Sequence, residues 1–388
     1  MQKILIVTSR VPWPLDKGDK LRAYHQIKSL SEKAEIYLFC TNDSATINGA
    51  EQELKKYCKE ILVVPLPKTR IIWNLFLAFF KKIPFQVAYF YNPEVQKSFD
   101  RFINNINPNS IYCQLIRTSL LIRNHKEFKV LDYMDTFSKG MERRMKNASG
   151  IKKFIFGLEQ KRLNFFEKEV FNWYNERIII SEQDKNLIPH SDRNKIIVIP
   201  NGVELDYFQP QDKNKDFDLL FNGNMNYPPN VEAAEYLCKE IIPVLKQKGY
   251  KLKVLISGTS PSDRVRALEN ESVKISGWVS DIRENYARSK ILVAPMQSSI
   301  GLQNKLLEAM AMGVPCVTSK LANNALGADS GMEIFTADTP SEYANHIVNL
   351  LTDSVCYNKL SEAGHNFIKK NYSWESRNNE LLNLLIRK

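Results

Sequence analysis

SIGLQNKLLEAMAMGVPCVTS, residues 299–319, is the stretch whose reading decides the fold. Its pattern predicts a loop holding Gly301, a helix that opens near Gln303 or Asn304 and runs to Met312, and a stop at Gly313 with Pro315 close behind. A short β-prone run from Val314 to Thr318 follows. Loop, helix, tight turn and buried strand make the second half of a βαβ crossover. The opening of such a helix offers unpaired backbone N–H groups and the positive end of a dipole, and Lys305 stands one position further in, so a phosphate would be welcome there. Glu308, one turn deeper, shares a face with Asn304. A carboxylate repels phosphate but accepts hydrogen bonds from ribose hydroxyls, so the pattern predicts a nucleotide site.

Outward from this stretch, strands and helices alternate along the whole chain. Ile4–Thr8 reads as a first buried strand rather than a signal peptide, because its apolar run is short. A long loop, SRVPWPLDKGDK, and a helix over 21–31 come next, then strands over 34–40 and 61–65 with a helix over 51–59 between them. Further strands are expected at 111–113, 129–132 and 177–181. Asp132 and Asp135 fall at the end of the second of these, where parallel sheets place their ligands. An Asn-Gly turn at 201–202 marks a domain boundary, after which strand–glycine–loop–helix units recur at 218–222, 252–258, 273–277 and 291–294. The last twenty residues read as an amphipathic helix that begins near Lys369. The expected architecture is α/β, with two Rossmann-like doubly wound parallel-sheet domains: 1–200 joined by a crossover helix at about 372–388, and 201–371.

A length of 388 residues suits two domains, and 44% hydrophobic with 25% charged residues is ordinary for a globular chain. The formal charge of +11 is lopsided: residues 1–200 hold 33 Lys and Arg against 21 Asp and Glu, and the rest hold 21 against 22. That asymmetry predicts either solubility alone or an anionic partner for the first domain, such as an acidic membrane face. Residues 70–82, RIIWNLFLAFFKK, are apolar nearly all round and flanked by lysine and arginine, which fits a helix dipping into a lipid interface and equally a core helix. From Lys139 to Arg177 ten basic residues face five acidic ones across two helical segments among phenylalanines, which reads as a solvated amphipathic surface in preference to the alternative, direct lipid contact. No run reaches the ~20 apolar residues of a membrane span. The six cysteines form no C-x-x-C pair and the five histidines no ligand spacing, so reduced thiols in a cytoplasmic protein, and no metal centre, are expected. No nucleic-acid recognition module is present.

Taken in order and at these separations, IPNGVELDYFQP, GNMNYPPN, GWVSDIRENYARSKILVAP and GLQNKLLEAMAMGVPCV resemble the glycosyltransferases of the GT-B fold, family 4. The N-terminal PWPLDKGDKLR resembles a subgroup linked to bacterial exopolysaccharide assembly. The resemblance implies two domains facing across a cleft, a nucleotide-sugar donor held by the second, retention of anomeric configuration and no bound metal ion or other cofactor. The donor would be a UDP- or GDP-sugar. The acceptor would be a glycan or lipid-linked hydroxyl at the inner membrane face.

By position, the resemblance makes Glu308 the ribose-binding carboxylate, and Gly301, Leu302, Gln303 and Asn304 the loop over the distal phosphate and sugar. Lys305 and Gly223 with Asn224 fall at the diphosphate, helped by Gly18 and Arg22 of the first domain, while Gly277 and Trp278 lie beside the base. Ile300 departs from the pattern, because relatives place a carboxylate there. Asp135 is the candidate base or sugar-positioning group, a loop hydrogen bond being its alternative. Two other functions stay open: a GT-B epimerase or hydrolase of the nucleotide-sugar, and a binding or scaffold subunit without catalysis.

Overall fold

The computed structural model describes residues 1–43, 49–146, 148–298 and 301–386. The chain divides into two compact units, Met1–Pro200 with Arg377–Lys388, and Asn201–Ser376. In unit 1, seven strands run parallel: β1 Lys3–Thr8, β2 Glu35–Asn42, β3 Cys58–Pro65, β4 Ser110–Gln114, β5 Phe128–Asp132, β6 Glu176–Ile179 and β7 Ile197–Val198, in the order β3-β2-β1-β4-β5-β6-β7. Ile4 to Val7 of β1 are wholly buried, as the central strand of a sheet covered on both faces demands. The helix Trp374–Leu385 closes one face, with Leu381 and Leu385 packed beside Ile4, Ile6 and Ile27. Asn378 Nδ2 donates to His25 O at 3.1 Å and fixes its seat.

Unit 2 carries a second all-parallel sheet: β8 Phe217–Asn222, β9 Val254–Ser257, β10 Val273–Gly277, β11 Ser289–Ala294, β12 Cys316–Thr318 and β13 Phe335–Thr336, in the order β10-β9-β8-β11-β12-β13. Strand order reverses between β1 and β4 in unit 1 and between β8 and β11 in unit 2. Loops part at these points and leave a crevice at the carboxyl ends of the strands.

Most expected elements appear within two residues of their places. The helix read as 51–59 is shorter, Ala50–Leu54, because Cys58 already pairs with Ile36 as the start of β3. The first helix opens at Gly18, three residues early, and the terminal helical run breaks at Tyr372, whose backbone carbonyl accepts from Val203 N. All six cysteines are unpaired thiols, four of them buried. The helix Lys68–Lys81 is no core helix: it buries Ile71 and Ala78 but leaves Trp73, Phe76 and Phe80 more than half exposed.

Arg22 corrects another expectation. Its side chain is fully buried, with Nε 2.6 Å from Asp132 Oδ2 and Nη2 2.9 Å from Ile199 O, so its charge answers a carboxylate inside unit 1 and is not offered to a phosphate. Asp132 also accepts from Tyr112 OH at 2.6 Å and from Met134 N at 3.0 Å. The cluster ties the first helix to the middle of β4, the end of β5 and the residue after β7. Arg22→Met would leave Asp132 a buried charge with no counterion and should destabilise unit 1 by about 3–5 kcal/mol. Guanidinium unfolding followed by near-ultraviolet circular dichroism measures the loss; a midpoint unchanged from wild type would refute it.

Candidate donor site

In unit 2 the crevice between β8 and β11 is built from glycines first. Gly258, just past β9, stands at φ +139°, and a Cβ built on it would lie 1.6 Å from Gly223 O. Only a glycine allows that approach. Gly223 N donates to Ser257 O at 3.0 Å and Gly258 N to Gly277 O at 2.9 Å, so the turns after β8, β9 and β10 lie side by side. Gly223, at φ +153°, has its own empty Cβ position 2.7 Å from Asn230 Nδ2 and 3.3 Å from Lys305 Nζ. A side chain there would fill the space that an amide and an ammonium now face.

Lys305 is the second residue of the helix Asn304–Ala311, which no side chain caps at its N-terminus. Its Nζ donates to Asn230 Oδ1 at 2.7 Å and lies 4.5 Å from the centre of the Phe221 ring. Asn230 in turn donates through Nδ2 to Asn224 O at 3.0 Å, which shapes the loop after β8. Burial pulls the Lys305 ammonium down to about 7, with Glu308 pulling the other way. Burial pushes Glu308 up to about 7, opposed by Tyr286 and Lys305. Tyr286 OH donates to Glu308 Oε2 at 2.7 Å and accepts from Asn222 Nδ2 at 2.8 Å. Among the described residues Glu308 Oε1 has no protein partner, and the half-buried side chain keeps that oxygen available to a hydroxyl.

The structure thus brings Gly223, Asn224 and Lys305 together, with Gly277 in the adjoining turn and Glu308 one helical turn away. Gln303, the N-cap position, folds its side chain onto Gly301 O at 2.7 Å, and Leu302 packs against the core of unit 2. Trp278 is 70% exposed and makes no ring contact or hydrogen bond among the described residues. Ile300 lies outside the described residues. Sequence reasoning missed Asn230, Tyr286 and the part played by Gly258, although the first two lie within the quoted blocks GNMNYPPN and GWVSDIRENYARSKILVAP.

The remaining candidates belong to unit 1. Gly18 is the exposed first residue of its helix and has open space where a Cβ would go, so nothing local requires glycine there. Asp135 follows β5 with its side chain exposed. Burial first, and Asp135 in addition, push Asp184 up to about 6, and burial pushes Glu167 up to about 7. At the switch point between β1 and β4, Arg10 and Arg117 both flank Asp19, at 3.1 and 4.0 Å. Burial, with Arg10 nearby, pulls Arg117 down to about 10. Among the described residues no group of three or more His, Cys, Asp or Glu is placed to hold a metal ion.

Comparison with known proteins bears on this arrangement. Residues 216–353 match the family model described as glycosyl transferases group 1. An uncharacterized 44.6 kDa protein in the cps region of Klebsiella pneumoniae is 22% identical, over 96% of this chain and 97% of that one. Among solved structures, sucrose-phosphate synthase from Thermosynechococcus elongatus superposes with a TM-score of 0.69 at 14% identity, covering 98% of this chain and 97% of that one. HepE from Anabaena, solved with UDP and glucose, gives 0.69 at 15% identity with 99% of each chain covered. The two all-parallel sheets match these structures, so the fold is GT-B, and the match over residues 216–353, which spans the whole Gly223–Lys305–Glu308 arrangement, makes unit 2 similar to the group 1 glycosyl transferases.

Proposed function

We propose that the chain is a retaining, metal-independent glycosyltransferase that moves a hexosyl group from a nucleoside diphosphate to a hydroxyl of a glycan or lipid-linked acceptor in cell-surface polysaccharide synthesis, at the cytoplasmic face of a membrane. The observation that carries this reading is the empty Cβ position of Gly223, faced by Asn230 and Lys305 at the uncapped N-terminus of a helix, with Glu308 one turn deeper. HepE, solved with UDP-glucose, and the cps-region protein support it from outside.

In this reading the diphosphate lies on the backbone of Gly223 and the tip of the helix Asn304–Ala311, with Lys305 opposite its charge. Glu308 accepts from the ribose through Oε1 while Tyr286 holds Oε2. The bond between the anomeric carbon and the diphosphate oxygen breaks as the acceptor oxygen bonds to the same face of that carbon. The acceptor's proton passes to the departing diphosphate or to Asp135. Charge growing on the leaving group meets groups already fixed in place, which is the largest lever such a site has. Unit 1 binds the acceptor.

A thermal-shift screen of UDP, GDP and their sugar conjugates, run with a chelator present, tests donor binding. UDP and a UDP-sugar should raise the melting temperature, and Glu308→Ala should weaken them about 10- to 100-fold through lost charge-assisted hydrogen bonds. A Glu308→Ala protein that responds as wild type does would remove the carboxylate from the site.

Proton linkage gives a second test. With Lys305 titrating at about 7, the ammonium is mostly neutral at a pH of about 8, and an arriving diphosphate raises its pKa. Glu308, also at about 7, is by then mostly ionised and releases little. Net proton uptake on UDP binding is expected at that pH, read by calorimetry in buffers of different ionisation enthalpy, and it should vanish in Lys305→Met. Net release would contradict the assignment.

Gly258→Ala forces a Cβ against Gly223 O at a positive φ. It should cost at least about 2 kcal/mol and abolish UDP binding in any protein that still folds. Normal UDP affinity in that variant would show that the turn geometry is dispensable.

A further inference from the structure

We infer that two helices of unit 1, Lys68–Lys81 and Gly150–Phe171, form one membrane-docking face that inserts aromatic side chains into an anionic lipid surface. The inference deepens the lipid-linked part of the reading above but stands on different residues. Of the fifteen large apolar side chains exposed among the described residues, nine lie on these two helices. On the first, Ile72, Trp73, Phe76, Phe79 and Phe80 fall on one face and touch each other: Trp73 stacks on Phe76 at 5.7 Å, and Phe76 meets Phe80 edge-on at 5.3 Å. On the second, Ile151, Phe154, Ile155 and Phe165 recur at helical spacing.

The two faces are physically joined. Arg162 of the second helix donates to Ala78 O at 3.0 Å, Phe79 O at 2.7 Å and Ile83 O at 3.2 Å, closing the C-terminal end of the first. Glu159 accepts from Phe85 N and Gln86 N at 2.7 and 3.0 Å just beyond it. The helices are held as a pair while their outer aromatics stay in water. Beside Phe154 a groove of about 470 Å³ opens between Met145, Gly157 and Leu158, with Lys153 and Lys161 in its lining.

Charge selects the occupant. Lys68, Lys81 and Lys82 bracket the first helix and Lys152, Lys153 and Lys161 lie on the second. Among the described residues none of the six makes an ion pair. A second copy seated across a two-fold axis would set these lysines against their own counterparts, which is repulsive. An anionic bilayer answers both features at once, lysine to headgroup phosphate and aromatic ring to the acyl boundary. The first helix has 14 residues, roughly 21 Å of rise, short of the ~30 Å hydrocarbon core, so it lies along the interface.

Flotation of the full chain with phosphatidylcholine vesicles, with and without phosphatidylglycerol, tests the inference. The wild type should float with the anionic vesicles only, and less at high salt. Lys81→Glu with Lys82→Glu should lower the partition coefficient at least tenfold, at about fivefold or more per charge. Phe76→Asp with Phe154→Asp should abolish flotation. These side chains are exposed, so each variant should keep the wild-type melting temperature and its UDP response, which separates failure of this face from failure of the donor site. Flotation indifferent to vesicle charge and to both pairs of substitutions would overturn the inference. So would sedimentation showing a wild-type dimer that Phe76→Asp dissociates, because a second copy would then own the face.

Discussion

A carbonyl oxygen occupies the space where Gly258 would carry a side chain. That contact, between the turn after β9 and the Gly223 carbonyl, sets the spacing of the turns at the carboxyl edge of the unit 2 sheet. Because all six strands run parallel, every such turn opens on the same edge, and the reversal of order between β8 and β11 keeps neighbouring loops from covering it. Gly223 therefore presents bare backbone to an open crevice, and Asn230 and Lys305 reach it from the helix that follows β8 and the helix that follows β11. The site is a consequence of the close approach of two peptide units; its polar side chains fill in around them.

Burial displaces the titration of both ionisable groups in that crevice. An ammonium 7% exposed, held by one amide oxygen and an aromatic ring, keeps its proton poorly, and the neighbouring carboxyl holds its proton too well. Both displacements are desolvation costs borne by the folded protein. In the proposed reading a diphosphate would supply an anion for Lys305, and ribose hydroxyls would supply donors for Glu308. The two groups are thus arranged for something that is not protein. Tyr286 makes the arrangement directional, because it saturates one oxygen of Glu308 and leaves the other.

Sequence reading reached this edge because backbone grammar writes it plainly: a β-prone run, a glycine, a helix opening and a second β-prone run are local signals. The helix at 304–311, its stop at Gly313 and the strand after it needed no tertiary information. Asn230 and Tyr286 were illegible as site residues because their roles depend on which helix flanks which strand, and their side chains are equally at home in a helix interior. Arg22 misled for a related reason. Next to a loop rich in charge it looked available, whereas its partner Asp132 lies 110 residues on and meets it only when β5 enters the sheet. The aromatic helix at 68–81 was undecidable between core and surface, since a helix apolar all round reads the same in both places until its neighbours are known.

The division of charge between the two halves fits the ligand proposed for each. One ligand with two phosphates needs a few donors fixed at short range, and a buried lysine with a helix tip provides them whatever the net charge of the domain; residues 201–388 are close to neutral. A lipid surface is different, because its charge is spread over an area and is screened within about 8 Å at physiological ionic strength. Only cations standing at the surface itself are useful against it, and several are needed because each is weak. Six of the basic residues behind the excess of the first 200, Lys68, Lys81, Lys82, Lys152, Lys153 and Lys161, are exposed around unburied aromatics, an arrangement suited to an extended anionic plane and poorly suited to a single small anion.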